Sequence, residues 1–364
     1  MSAENSTANS TWNNDARPNL TTPQKWQLAI TVEFYFRYAV IAIGILGTAA
    51  NALVLYALIS YNAKQVKKRA VNLLIIHQNL MDLSSCVLLV ISHTVAASTY
   101  LTGALGYFLC TIFVSESAEY CVLYSSVINL AMLTIERYLK VVHPFWSKKH
   151  LKRWMIYAAM AFAWITGIML TIPVVFSTTV VQDGVCLSYF VWENPTVRMS
   201  FGVTSIFSLF VVPLVVFMYC YGRIVIVMRR QMRVMVGHNV QAGSAQANAS
   251  QIQSKRIKWN IIKTMLIVTV AFMVCWCPHN IYFMVVEDSS AEAGALYIGY
   301  FPTVFLAYLN VCMNPFIYAT KHEGVKEKLR SLAMCRKFKR HGGEDDSGTG
   351  SAVIKQTPTG VTHL

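Results

Sequence analysis

The sequence predicts an all-α membrane protein: a seven-transmembrane helix bundle followed by a short amphipathic eighth helix. Three observations carry this. Of 364 residues, 55% are hydrophobic and only 13% charged, about half the charged share of an ordinary soluble domain. The apolar residues gather into seven runs, at about 35–60, 71–97, 107–135, 154–176, 200–227, 262–286 and 296–319, each long enough to cross the hydrocarbon core as a helix. Finally, 27 of the 31 Lys and Arg residues lie in alternate connections. The runs are too long for strands, and backbone inside a bilayer must satisfy its own hydrogen bonds.

The N-terminal segment 1–34 holds three glycosylation acceptor triplets, at Asn5, Asn9 and Asn19, as an extracellular segment would. The first 25 residues lack an apolar core, so the first span itself is expected to direct insertion. The bundle occupies 35–320. Its basic connections are 61–70, 137–153, 222–263 and the tail after Tyr318; 98–106 and 287–295 have no Lys or Arg, and 177–199 has only Arg198. The positive-inside rule makes the basic side cytoplasmic, with the N-terminus outside and the C-terminus inside, which needs an odd number of spans. The net charge of +14 therefore belongs to a membrane face and not to a nucleic-acid site. The stretch 238–254 reads as a mobile polar linker between inward extensions of the fifth and sixth helices. In 321–340, Val325, Leu329, Leu332 and Met334 share a face, which fits a helix lying on the inner leaflet. The remainder, 341–364, reads as a disordered cytoplasmic tail. Its last residues, Thr362-His-Leu364, have the form of a PDZ ligand.

Of nine cysteines, Cys86, Cys121, Cys220, Cys275, Cys277 and Cys312 fall in apolar runs and read as small buried hydrophobes. Cys110, at the outer end of the third span, and Cys186, in the outer connection 177–199, face an oxidising compartment and are expected to form a disulfide. Cys335 lies inside among basic residues and is a candidate palmitoylation site.

Ionisable and amide groups at membrane depth are costly and point to function. Asp82 lies in the second span, Ser126 and Asn129 in the third, Asn310 and Asn314 in the seventh. The asparagines also suit interhelical hydrogen bonding. A lone carboxylate without Lys or Arg at its depth, set among hydroxyls and amides, suits a hard cation. Pro173, Pro213, Pro278 and Pro315 each remove a helical hydrogen bond and favour a kink; a kink beside Trp276 serves either as a hinge or as a static bend.

One motif per span, in order, completes the pattern: Gly47-Thr-Ala-Ala-Asn51; Leu80-Met-Asp82; Glu136-Arg137-Tyr138; Trp164; Pro213 with Tyr221; Phe272 with Cys275-Trp-Cys-Pro278; and Asn314-Pro-Phe-Ile-Tyr318. Over about 35–335 the chain resembles the rhodopsin-like (class A) G-protein-coupled receptors. The resemblance implies a plasma-membrane receptor, not an enzyme, that couples to a heterotrimeric G protein, with arrestin and a receptor kinase as further partners. It implies coupling and activation roles for Glu136, Arg137, Tyr138, Tyr221, Asn314, Pro315 and Tyr318, the arginine being held at rest by its acidic neighbour and freed when the sixth helix swings out. Val127, Pro213, Phe272, Trp276 and Pro278 match the core switch. Asp82, Ser126, Asn310 and Asn314 match a sodium site; no other cofactor is implied. Two departures stand out. Lys258 occupies the place of an acid that elsewhere also holds the arginine, which predicts a leaky resting state that Lys258→Glu would quieten. Cys110 also lies two residues further from Arg137 than the family spacing, which calls for a bulge or insertion in the outer third span.

Light sensing needs a lysine in the seventh span; 296–319 has none, and Tyr308 stands in the matching place. Counting from Arg137, the position that binds amines in the family is Glu119. The expected cavity wall adds Tyr120, Tyr124, His93, His279, Asn280, Phe283 and Tyr308 as ligand-binding candidates. Outer acids (Glu33, Asp183, Glu193, Glu287, Asp288 and Glu292) favour a basic or amidated neuropeptide, in the manner of galanin, somatostatin or allatostatin receptors. An amine or lipid ligand stays open, as does a seven-helix transporter, although the sequence shows no internal repeat.

Overall fold

The computed structural model describes residues 22–60, 70–98, 102–182, 185–188, 195–239, 245–287, 293–321, 325, 326 and 328–331. Among these, seven helices are long and apolar enough to cross a membrane. Five spans are single helices: Thr22–Ser60, Ala70–Ser98, Arg153–Thr178, Ala245–Glu287 and Ala293–Lys321. The first begins at Thr22, not near 35, so part of the expected extracellular segment is helical. The sixth begins at Ala245; most of the stretch read as a mobile linker is therefore helix, with 240–244 outside the described residues. The third span ends in a short helix, Pro144–His150, whose proline occupies the first turn, where no amide hydrogen is needed.

The third and fifth spans are composite. The fifth runs Pro195–Ile206, a π segment Phe207–Val211, then Val212–Asn239. Pro213 accounts for the π segment: its ring excludes the carbonyl one turn back, and the ladder widens to take up the slack. The third runs Gly103–Leu109, a π segment Cys110–Val114, a break at Ser115 and Glu116, then Ser117–Val142. Glu116 has φ 56°, the only positive φ of a non-glycine residue among the described residues. This supplies the bulge that the spacing of Cys110 called for.

The helical bundle carries one short β-hairpin in addition. The outer connection after the fourth span forms an antiparallel pair, β1 (Thr179–Gln182) and β2 (Val185–Ser188), in the register Val181 to Cys186. Cys186 on β2 is bonded to Cys110 with the Cα atoms 5.6 Å apart. The disulfide pins the hairpin onto the third span at its π segment.

Apolar burial falls into two clusters. The inner one joins Val54, Leu74, Ile75, Val127, Leu130, Phe217, Tyr221, Phe272 and Tyr318. The outer one joins Val40, Cys86, Leu89, Leu123, Val304, Tyr308, Val311 and Cys312. Trp276 packs against both. Between them lie Asn51, Gln78, Asn79, Asp82, Ser126, Asn310 and Asn314, all buried. Two glycines permit close helix approach. A Cβ on Gly47 would sit 2.6 Å from Cys86 Sγ and 2.7 Å from Cys312 Sγ, and one on Gly167 would sit 2.7 Å from the Cys121 carbonyl. Large apolar side chains such as Leu46, Met169, Phe162 and Val274 point outward, as contact with lipid demands.

Of the segment 321–340, residues 325, 326 and 328–331 are helical. Val325 is fully buried in the inner cluster, with Leu329 packed beside it. Asn5, Asn9, Asn19, Cys335 and Thr362–Leu364 lie outside the described residues.

Candidate functional site

The break in the third span sets the outer site. Because Glu116 takes a left-handed backbone, its carboxylate reaches two other spans: Tyr308 of the seventh donates its hydroxyl to Glu116 Oε2, and His93 Nε2 of the second lies 3.5 Å from Oε1. The glutamate side chain retains 12% exposure. Glu119, the acid reached by counting from Arg137, is instead fully buried. Among the described residues neither of its oxygens has a well-aligned hydrogen-bond partner; Ser85 lies alongside.

Around these acids stands an aromatic wall. Phe36 contacts His93 and Phe301, Tyr300 contacts His279, Phe301 and Tyr282, and Tyr120 contacts Tyr124. Asn280 donates to the Trp276 carbonyl at 2.8 Å. Phe283 lies on the same helix, with its side chain outside the described part. Glu33, one of the outer acids, pairs with Arg37 at 3.0 Å.

Below this wall, His279 meets Trp276, Trp276 meets Phe272, and Phe272 meets Phe217, each ring pair 6.0–6.1 Å apart. Val127 and Pro213 are buried with them. These residues form a continuous apolar column between the outer wall and the inner cluster.

The polar belt beside the column brings three of the four expected sodium ligands onto one carboxylate or next to it. Asp82 Oδ2 accepts from Asn314 Nδ2 at 2.8 Å, and Oδ1 faces Ser126 Oγ at 3.5 Å. Asn310 lines the adjoining cavity. Gln78, which the sequence reading passed over, donates to Asp82 Oδ1 at 3.2 Å and to Ser126 Oγ at 2.5 Å. Asn51 ties the first span to the belt: it accepts from Asn79 at 2.9 Å and donates to the Val311 carbonyl at 3.2 Å.

At the basic end, Arg137 Nε lies 3.9 Å from Glu136 Oε2. Lys140, one turn on, reaches the other oxygen of Glu136 more closely. Glu136 is 3% exposed and Arg137 11%. Tyr221 sits between the third and sixth spans, 3.3 Å from Thr134 Oγ1 and accepting from Thr269 at 3.4 Å. Tyr318 is fully buried, and among the described residues its hydroxyl has no hydrogen-bond partner. Tyr138 turns aside to His143 and Tyr219. Pro278 and Pro315 lie inside their helices. A cavity of about 270 Å³, lined by Met228, Arg229, Arg233 and Trp259, opens between the fifth and sixth helices.

Glu116 was missed because the count outward from Arg137 ended at Glu119, within the unbroken helix Ser117–Val142 and short of the break. Counting inward from Cys110 lands on Ser117, beside it. Lys140 was legible as an i,i+4 partner of Glu136. Gln78 carried the plainest signal, a second large amide one turn from Asp82.

The profile of the "7 transmembrane receptor (rhodopsin family)" matches residues 50–318. Somatostatin receptor type 1 of Rattus norvegicus is 25% identical over 317 residues, 85% of this chain and 73% of that protein. The substance-K receptor of Bos taurus is 24% identical over 320 residues, 85% of this chain and 77% of that protein. The C3a anaphylatoxin chemotactic receptor of Oncorhynchus mykiss is 23% identical over 233 residues, 61% of this chain; the match spans 57% of that receptor's length. The crystal structure of squid rhodopsin superposes with a TM-score of 0.67 at 16% identity, over 92% of this chain and 98% of that one.

Proposed function

The chain belongs to the rhodopsin family of seven-transmembrane receptors, and from that premise we propose that it binds an extracellular peptide and activates a heterotrimeric G protein. The observation that carries the proposal is the unbroken column from the acidic outer wall, through Trp276 and Phe272, to Tyr221 and the Glu136–Arg137 pair. A ligand group pressing on Trp276 displaces a ring that is packed against both apolar clusters. Packed clusters are bistable and do not deform smoothly. The sixth helix, which carries Pro278 in its interior, then moves outward and frees Arg137.

The wide aromatic rim favours a peptide, and the relatives include receptors named for somatostatin and substance K. Glu116, the acid that keeps some exposure, selects a basic group on it. A small amine is the second reading, favoured by the compact Glu116–Tyr308 pair, which suits a single ammonium. The distribution of basic residues supports a cytoplasmic C-terminus, where arrestin, a receptor kinase and a PDZ protein would bind, and an extracellular N-terminus at the plasma membrane.

The test is nucleotide exchange on purified G proteins by the expressed full-length receptor, screened with basic and amidated peptides and with biogenic amines. Peptide-dependent exchange that vanishes in Arg137→Ala is expected. Exchange driven by amines alone overturns the peptide assignment. Solute flux without exchange overturns the receptor mechanism in favour of a transporter.

A further inference from the structure

The orientation of one amide in the polar belt can be derived from a residue three contacts away. Trp164 Nε1 can only donate, and it lies 3.0 Å from His77 Nε2. Nε2 must therefore accept, and His77 carries its proton on Nδ1. That nitrogen lies 2.9 Å from Asn129 Oδ1 and donates to it, which fixes the asparagine: Nδ2 donates to Gln78 Oε1 at 2.8 Å. Gln78 is fixed in turn. Its carbonyl faces Asn129 and its amide hydrogens face Asp82 Oδ1 and Ser126 Oγ. Ser126, accepting from Gln78, turns its own hydrogen to Asp82.

The consequence is a carboxylate ringed by donors. Gln78 and Ser126 address one oxygen and Asn314 the other. A hard cation needs the opposite, converging oxygen lone pairs. The adjoining cavity does contain unpaired acceptors, Asn310 Oδ1 and Asn314 Oδ1. It measures about 10 Å³, and its walls include Gln78 but not Asp82. That is room for one water, whose two hydrogens match the two carbonyls. An ion there would meet amide and hydroxyl groups and not the carboxylate itself, whose oxygens are already taken by Gln78, Ser126 and Asn314.

We propose that the Gln78 side-chain amide replaces a cation at Asp82: the sodium site expected from Asp82, Ser126, Asn310 and Asn314 is closed by an internal donor, and the receptor is indifferent to sodium. Trp164, His77 and Asn129 are the positioning residues that hold the amide in its donating orientation.

The experiment compares the thermal stability of the purified full-length receptor in sodium chloride and in choline chloride at equal ionic strength. The wild type is expected to melt at the same temperature in both. Gln78→Leu removes the donors and is expected to gain a sodium-specific rise of roughly 3–5 °C at about tenfold excess over Kd. The double variant with Asp82→Asn should lose that rise. A sodium-specific rise in the wild type overturns the proposal. A flat wild type with a flat Gln78→Leu overturns the role of Gln78. Should Gln78→Leu fail to fold, sodium NMR relaxation on the wild type decides: broadening that Asp82→Asn abolishes overturns the proposal, and its absence supports it.

Discussion

Glu136 is shared between two cations, and the closer one is not the arginine of its own motif. Lys140 holds one oxygen while Arg137 stands 3.9 Å from the other, so each weakens the other's claim. Removing the competitor should tighten the hold on Arg137. Lys140→Ala is expected to lower ligand-free nucleotide exchange by about two- to fivefold, the range of a half-exposed ion pair, and Glu136→Gln to raise it; exchange assays on reconstituted membranes read both. In the outer site, Glu116 is reachable and Glu119 is sealed. Glu116→Gln should weaken a basic ligand by at least about tenfold, as loss of a desolvated charge partner does, and by more than Glu119→Gln; competition binding measures the difference. Most of these residues were legible singly from charge at membrane depth. Their pairing was not, because which acid faces the cavity depends on backbone rotation that a count along the chain does not carry.

At the scale of helices, the spans were readable from apolar runs, and an irregularity in the fifth helix from Pro213. The hairpin was readable too: Asp183-Gly184 between β-branched runs is a strong turn signal. The place of the break was only half readable, since the spacing of Cys110 demanded extra residues but no composition marks Ser115 and Glu116 as where they go. Glycines separate packing from propensity. Gly167→Ala puts a methyl into the backbone of the third span and should cost about 1–3 kcal/mol, seen as a lower melting temperature in detergent. Gly222→Ala meets nothing within 4 Å in a helix interior and should stabilise by about 0.5–1 kcal/mol.

Across the whole molecule, the outer face is joined to the bundle by one covalent tie. The cysteines are 76 residues apart in sequence, and a loop of that size restrains the unfolded chain by about 4 kcal/mol. Cys186→Ser is expected to cut surface expression and melting temperature together, by cell-surface labelling and thermal unfolding. The same tie anchors the far end of the divided third span, and this bears on how knowledge can be borrowed from cousins of the protein. Two surplus residues at about 100° each would swing a side chain by roughly 200° on an uninterrupted helix, to the opposite side. Because the discontinuity at Glu116 swallows that rotation, a pharmacophore transferred from another receptor needs two separate rulers. One starts at Arg137 and is good up to Ser117; the other starts at the half-cystine and runs inward. Medicinal chemistry guided by a single ruler would decorate the wrong glutamate.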